Sequence, residues 1–192
     1  MATDLSNLDK FLKMDTSVPV SSTYEQQYCS DVKGIIEKAK AQGIQVFPLE
    51  IRQVVNKLFN IEIEEADLGR DVSGFLERID SKWKIYLNRF ESESRKRFTI
   101  AHELGHFVCH REKYSGGGIT TPDQVFFRDD TLSDEEKEAN DFAANLLMPE
   151  DIFREQVKAG HRKIIDLAAR FKLSTAAIKY RAYKLGMLSE YR

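Results

Sequence analysis

The chain is poor in cysteine and has no long hydrophobic run. Its 192 residues include two cysteines, Cys29 and Cys109, which are too few for a scaffold held together by disulfides and suit a reducing compartment. No stretch approaches the roughly 18 apolar residues that a membrane-spanning helix needs. The first ten residues also lack the basic-then-apolar pattern of a secretory signal. We therefore expect a cytoplasmic protein that has no membrane partner.

Net charge is small as well, since 29 Lys and Arg residues nearly balance 31 Asp and Glu residues and leave −2. This balance excludes a uniformly basic nucleic-acid-binding protein. The charge is nevertheless uneven, because residues 151–192 carry +6 and residues 1–150 carry −8. A basic C-terminal segment on an acidic body is a weak indication that this segment meets an anionic partner.

Hydrophobic periodicity divides the chain into three parts. Residues 1–23 are predicted to be an extension and linker, residues 24–149 the main domain, and residues 150–192 a helical module. Within the main domain the apolar spacing changes from helical to alternating and back, so the predicted fold class is α+β. The predicted helices are 25–42, one that begins at Pro48, 95–110 and 133–148; the predicted strands are 74–80, 83–88 and 125–128, with a mobile loop at 116–118.

The most informative motif is HELGH at residues 102–106. His102 and His106 are four residues apart, so on a helix both imidazoles lie on one face and can reach a single metal ion. Glu103 is rotated away from them but remains close enough to meet a water bound to that ion, and it can act as a general base. Chance would produce this pattern roughly once per hundred chains with so few histidines. The motif therefore predicts a catalytic zinc site with Glu103 as its base.

A hydrolytic zinc site usually has a third protein ligand. The helix predicted at 133–148 offers several carboxylates, of which Glu138 and Asp141 fall on the predicted solvent-facing side. Glu136 borders the buried stripe and is therefore the better-placed ligand, although it can instead complete a capping box with Ser133. Asn140, one turn after Glu136, can hydrogen-bond a ligand histidine and fix its tautomer.

The combination of motifs resembles the ImmA/IrrE family of zinc metallopeptidases. HELGH follows RKRFTIA, and EKEANDFAANLLMP and a helical C-terminal region come after it, so that the resemblance covers roughly residues 30–185. It implies a zincin-like domain with a small twisted sheet and an active-site helix. It also implies a gluzincin-like site that holds one zinc ion per chain, with His102, His106 and Glu136 as ligands, Glu103 as catalytic base and Asn140 as a residue that supports the ligands.

The same resemblance implies a substrate. Family members typically cleave a helix-turn-helix repressor and so relieve repression in mobile elements or stress responses. We therefore expect the partner of this chain to be such a repressor.

The C-terminal sequence DLAARFKLSTAAIKYRAYKLGML predicts a helix, a short turn with Ser174 as cap, and a second helix, which is a helix-turn-helix pattern. Two interpretations stay open at this point. One is a module that binds nucleic acid through a basic face, and the other is a packing module whose basic face meets only solvent. The residues of that predicted face are Arg170, Lys172, Lys179, Arg181 and Lys184.

Four further residues are weaker candidates. His110, one turn after His106, and Tyr114 are alternative stabilisers of a developing oxyanion. Cys109 shares the helical stripe of the two ligand histidines, and its thiolate, or that of Cys29, can occupy the open zinc position as a redox-sensitive inhibitor. The more common role of such a cysteine is that of a small buried hydrophobic residue.

Three functions are compatible with these features. The first is a zinc endopeptidase that cleaves a repressor. The second is a DNA- or protein-binding regulator with a structural zinc and no proteolysis, and the third is a zinc hydrolase of a small amide. Structural zinc is usually enclosed by four protein ligands, whereas this chain offers three ligands and a base, which favours the peptidase.

Overall fold

A computed structural model of the chain describes residues 23–80, 82–111, 118–119 and 133–189. These residues form an α+β fold, as predicted, and none of their helices has the length and apolarity that a membrane crossing requires. Most of the predicted N-terminal extension, the predicted strand at 125–128 and Tyr114 lie outside the described residues. The helices are α1 (Thr23–Ala41), α2 (Ile51–Phe59), α3 (Glu93–His110), α4 (Asp134–Leu147), α5 (Glu150–Lys158), α6 (Ile164–Phe171) and α7 (Thr175–Lys184).

A small mixed sheet supports α3. Its strands are β1 (Glu62–Ala66), β2 (Gly74–Ile79), β3 (Lys82–Asn88) and β4 (Gly118–Ile119), in the order β1-β3-β2-β4. The predicted hairpin is present as the antiparallel pair β2 and β3. Gly118, which was predicted to lie in a mobile loop, pairs with Arg78 of β2 instead.

Strand β1 was not predicted, because three of its five residues are glutamates and only Ile63 and Ala66 are apolar. Pairing with β3 in parallel accounts for its position. Cations of neighbouring elements compensate its carboxylates: Lys96 lies 2.7 Å and Arg52 2.6 Å from Glu65, and Lys84 lies 3.1 Å from Glu64. Because the partners of these glutamates are distant in the sequence, the segment itself has no alternation of apolar and polar residues that would predict a strand.

The start of α2 was predicted too early. The helix begins at Ile51, three residues after Pro48. Val46 and Leu49 form an isolated antiparallel bridge, so the backbone around Pro48 turns before it can become helical. This turn buries the Leu49 side chain in the core.

The C-terminal helices α5–α7 share the hydrophobic core of the rest of the chain. Phe171 of α6 packs on Phe153 of α5, with ring centroids 5.5 Å apart, and edge-on against Phe47, which precedes α2, at 5.1 Å. Ser174 caps α7 as predicted, since its hydroxyl accepts a hydrogen bond from the Ala177 amide. The helical C-terminal region thus packs as part of one core, while the boundary predicted at residue 150 stays a prediction.

The predicted exposed basic face of this region is wrong for one of its members, Arg181. Arg181 is buried, and its Nε donates to the carbonyl oxygen of Met148 at 2.8 Å. The last carbonyls of a helix lack intrahelical partners, and an arginine is a suitable donor for one of them. Arg170, Lys172 and Lys184 are exposed, as predicted, although Lys184 also pairs with Asp141 at 2.8 Å and Arg170 donates to Gln156.

Gly74 lets α3 lie directly on the sheet. A Cβ at this position would stand 2.6 Å from the Tyr86 carbonyl oxygen and 2.6 Å from the Thr99 side chain of α3. Both distances are below the contact limit, and the first neighbour is backbone that has little room to move. The close approach of sheet and helix therefore depends on the missing side chain.

We expect Gly74→Ala to lower the free energy of unfolding by about 2 kcal/mol or more, because it overpacks this contact. The control is Gly34→Ala in α1, where a Cβ meets nothing within 4 Å and the gain in helix propensity should stabilise the protein by up to about 1 kcal/mol. Urea denaturation of both variants measures the two effects. Equal stability of the two variants would contradict the packing argument.

Candidate metal centre

Helices α3 and α4 approach each other closely at Gly105. A Cβ there would stand 3.0 Å from the Ala139 Cα and 3.1 Å from its carbonyl oxygen. Helix α3 begins after Ser92, whose hydroxyl accepts from the Arg95 amide, and residues 98–106 are buried without interruption. The small residues at the crossing bring one face of α3 against α4, and that face carries the two histidines of the HELGH motif.

His102, His106 and Glu136 converge at this contact. The Nε2 atoms of the two histidines lie 3.0 Å apart, and the Glu136 Oε2 and Oε1 atoms lie 3.2 Å from His102 Nε2 and His106 Nε2, respectively. Both histidines are 1 % exposed and the Glu136 side chain is 18 % exposed. Among the described residues, this is the one group of three or more His, Cys, Asp and Glu side chains whose ligand atoms all lie within 4.8 Å of one another.

The spacing of these atoms fits a tetrahedral metal ion. Zinc ligands at roughly 2.0–2.2 Å from the ion, set at tetrahedral angles, lie roughly 3.3–3.6 Å from one another. The observed 3.0–3.2 Å separations are close to that range. Two imidazole nitrogens and one carboxylate also match the donors that catalytic zinc sites use. The three residues can therefore hold a metal ion.

Asn140 orients one of the histidines. Its Oδ1 lies 3.0 Å from His102 Nδ1, where it accepts a hydrogen bond from a protonated Nδ1. That tautomer leaves the Nε2 lone pair directed at the cluster. The Ser133 hydroxyl caps α4 by accepting from the Glu136 amide at 3.3 Å, while both Glu136 carboxylate oxygens face the histidines. The Ser133 side chain thus caps the helix as a capping box requires. The Glu136 side chain does not return to the Ser133 backbone, because it faces the histidines instead.

The charge states of the cluster suit a divalent cation. Burial lowers the pKa of His106, so its neutral form dominates at neutral pH. Burial by itself would raise the pKa of Glu136, but its contacts with His102 and His106 outweigh burial and hold the pKa well below its usual range. An ionised carboxylate beside neutral imidazoles is the state in which these groups bind a metal.

The other candidate residues on α3 and α4 lie outside the group of three ligands. Glu103 is fully buried in α3 next to His102. His110 is also buried, 5.7 Å from His106 between ring centroids, and its Nε2 lies 3.4 Å from Glu138 Oε2. Glu138 was predicted to face solvent but is half-buried, because it reaches His110.

Cys109 does not join the cluster. Its side chain is partly buried and packs against the hydrophobic core, so the structure does not bring it to the fourth position around His102, His106 and Glu136. Cys29 lies in α1, and its side chain is outside the part of the chain that the structure describes.

Asp141 was predicted to face solvent, and this prediction is wrong. The Tyr180 hydroxyl donates to Asp141 Oδ1 at 2.5 Å, and Lys184 Nζ donates to Asp141 Oδ2 at 2.8 Å. These contacts join α4 to α7 across 39 and 43 residues of sequence, and no periodic signal could have identified them.

Comparison with known proteins identifies a family. Residues 39–183 match the family model of peptidase M78, described as the IrrE N-terminal-like domain. No curated protein matches the chain. A solved structure, that of a Mycobacterium tuberculosis transcriptional regulator, superposes with a TM-score of 0.56 at 19 % identity and covers 85 % of this chain. The chain spans about half, 48 %, of that regulator, and the likeness shows the shared fold.

We expect Glu136→Ala to weaken Zn²⁺ binding by at least about a hundredfold, because it removes one of three candidate ligands. Glu138→Ala is the matched control on the same helix and should change the affinity by less than about threefold. Competition with a chromophoric chelator measures both affinities. A larger effect of Glu138→Ala would contradict the assignment of ligands.

Proposed function

Since the chain belongs to the IrrE N-terminal-like domain family of M78 peptidases, we propose that it is a zinc-dependent endopeptidase with one ion per chain. The observation that carries this proposal is the convergence of His102, His106 and Glu136 at separations of 3.0–3.2 Å in a buried position. Nitrogen and carboxylate donors in this combination favour zinc over magnesium or calcium, which prefer all-oxygen sites.

The number of ligands favours a catalytic ion over a structural one. Structural zinc is usually held by four protein ligands, commonly cysteines, whereas catalytic zinc has three and keeps one position open. Among the described residues no fourth side chain joins the group, and the partly buried Cys109 stays outside it. The family relation supports the same assignment.

The reaction would use residues of α3 and α4 in separate roles. Zinc, when bound, acts as a Lewis acid that acidifies water and polarises the scissile carbonyl. Glu103 then accepts the proton of the attacking water and returns it to the leaving amine. Asn140 keeps the His102 Nε2 lone pair directed inward. His110, one turn after His106, is our candidate for stabilising the oxyanion, and Tyr114 is its alternative.

We propose that the substrate is a helix-turn-helix repressor, whose cleavage relieves repression in a stress or mobile-element response. The family relation supports this substrate class. The matched Mycobacterium tuberculosis protein is described as a transcriptional regulator, which is compatible with a role in the control of transcription. Exposed residues of the substrate would have to reach the buried cluster, so a restricted cleavage site is expected.

A second candidate is a regulator that binds DNA or protein around a structural zinc. Its support is the capped pair α6 and α7, which has the helix-turn-helix pattern, and the exposed Lys172 between them. Against it stands the engagement of Arg181 and Lys184 in contacts with the main domain. Titration of labelled duplex DNA with the zinc-loaded protein, at stated salt, distinguishes this candidate from the peptidase.

The test of the peptidase is co-expression with a candidate helix-turn-helix repressor, followed by detection of a discrete cleavage product. We expect Glu103→Gln to keep the fold and the zinc but to lower the cleavage rate by about 10³-fold or more, since only the base is removed. Glu155→Gln on the exposed side of α5 is the control with the same substitution and should cleave at a rate close to that of the wild type. Normal cleavage by Glu103→Gln would show that Glu103 is not the base.

A further inference from the structure

Helix α7 holds α4 through two polar contacts at Asp141. The Tyr180 hydroxyl binds one carboxylate oxygen at 2.5 Å, and Lys184 Nζ binds the other at 2.8 Å. The Lys184 ammonium also lies 5.8 Å from the centre of the Tyr180 ring. Both Asp141 oxygens are thus engaged by side chains one turn apart on α7. We call these three residues the Asp141 clamp.

The clamp lies next to the metal centre on the same rigid element. Asp141 directly follows Asn140, which binds His102, and is five residues after Glu136, about 7.5 Å along the helix axis. A helix transmits a shift or rotation at one of its residues to the next turn almost unchanged. The positions of the Glu136 and Asn140 side chains therefore depend on what fixes α4 at Asp141.

The contact between α3 and α4 sets the distance between the two helices. At the crossing, Gly105 faces Ala139 and the buried side chain of Phe142. A metal site also requires its ligand distances to be correct to about 0.2 Å. The hydrogen bonds at Asp141 are directional and charge-assisted, and they add a second constraint on α4 from the side of α7.

We propose that the Asp141 clamp positions Glu136 and Asn140 for metal binding, so that the C-terminal helices are a functional part of the metal centre. This inference rests on the proposed zinc site. It assigns Tyr180 and Lys184 a role as positioning residues, although neither is part of the ligand cluster. It also explains why Lys184 and its neighbour Arg181 are turned toward the main domain, where Arg181 binds the Met148 carbonyl at the end of α4.

The experiment measures Zn²⁺ affinity by chelator competition for Tyr180→Phe, Lys184→Met and the double variant. Tyr180→Phe keeps the ring and removes only the hydroxyl. We expect each single variant to bind Zn²⁺ about three- to tenfold more weakly and the double variant at least about tenfold more weakly, less than the loss of a direct ligand. The Co²⁺-substituted double variant should also show a shifted ligand-field absorption band, because the coordination geometry changes.

Two controls separate positioning from general loss of stability. Lys172→Met removes the contact between Lys172 Nζ and Glu50 Oε1, which lie 3.9 Å apart. This contact also belongs to the C-terminal region, but it does not involve α4. Ile85→Val lowers stability by about 1 kcal/mol from within β3, which does not belong to the clamp. Both controls should keep the wild-type Zn²⁺ affinity and Co²⁺ spectrum, although Ile85→Val lowers the thermal midpoint of the metal-free protein.

The outcomes are distinct. If the clamp variants keep wild-type affinity and spectrum, the clamp has no positioning role, and the proposed zinc site still stands. An equal loss of affinity in Ile85→Val would mean that stability alone controls metal binding, which also overturns the inference. If the wild-type protein fails to bind Zn²⁺, the proposed function itself is wrong.

Discussion

The close contact of α3 with α4 is the constraint on which the metal centre depends. Two histidines on one helix define only one edge of a metal site, and the third ligand must come from an element that lies within hydrogen-bond distance. Gly105 and Ala139 make this possible, because any larger side chain at the crossing would separate Glu136 from the histidines. Gly74 has a comparable role on the other side of α3, where it admits Thr99 against the sheet. The histidine helix is therefore positioned from two sides by the absence of side chains.

Burial at this contact has an electrostatic cost that the site itself offsets. A buried carboxylate without partners would take up a proton, and buried imidazoles would lose theirs. Here the contacts with His102 and His106 lower the pKa of Glu136, and burial lowers the pKa of His106, so each shift favours the deprotonated form that binds a cation. Elsewhere on α3, Lys96 is buried but compensated by Glu65 and Glu93. Ionisable side chains of this helix can thus be buried where an oppositely charged or hydrogen-bonding side chain of a neighbouring element pairs with them.

Local features of the sequence predicted the local parts of this arrangement. Residues four apart on a helix share a face, which placed His102 beside His106, and the phase of 133–148 placed Glu136 and Asn140 toward them. Capping chemistry predicted Ser133 and Ser174, and alternation predicted the hairpin of β2 and β3. The failures concern compensation at long range. The glutamates of strand β1 are compensated by cations 13 to 31 residues away, and Asp141 is partly buried by its contacts with α7. Nothing near either segment in the sequence could indicate these contacts.

The C-terminal helices show why a helix-turn-helix pattern does not by itself specify a function. The pattern requires two amphipathic helices and a cap between them, and it leaves the polar faces free to serve any partner. In this chain, basic side chains of the second helix contact α4 and its end: Arg181 donates to the carbonyl of the buried Met148, and Lys184 joins Tyr180 on Asp141. A side chain that is held in this way has to leave its partner before it can contact a phosphate. Part of the positive charge of residues 151–192 is thus paired with groups of the same molecule. The most direct contacts of these helices are with α4, the helix that carries Glu136.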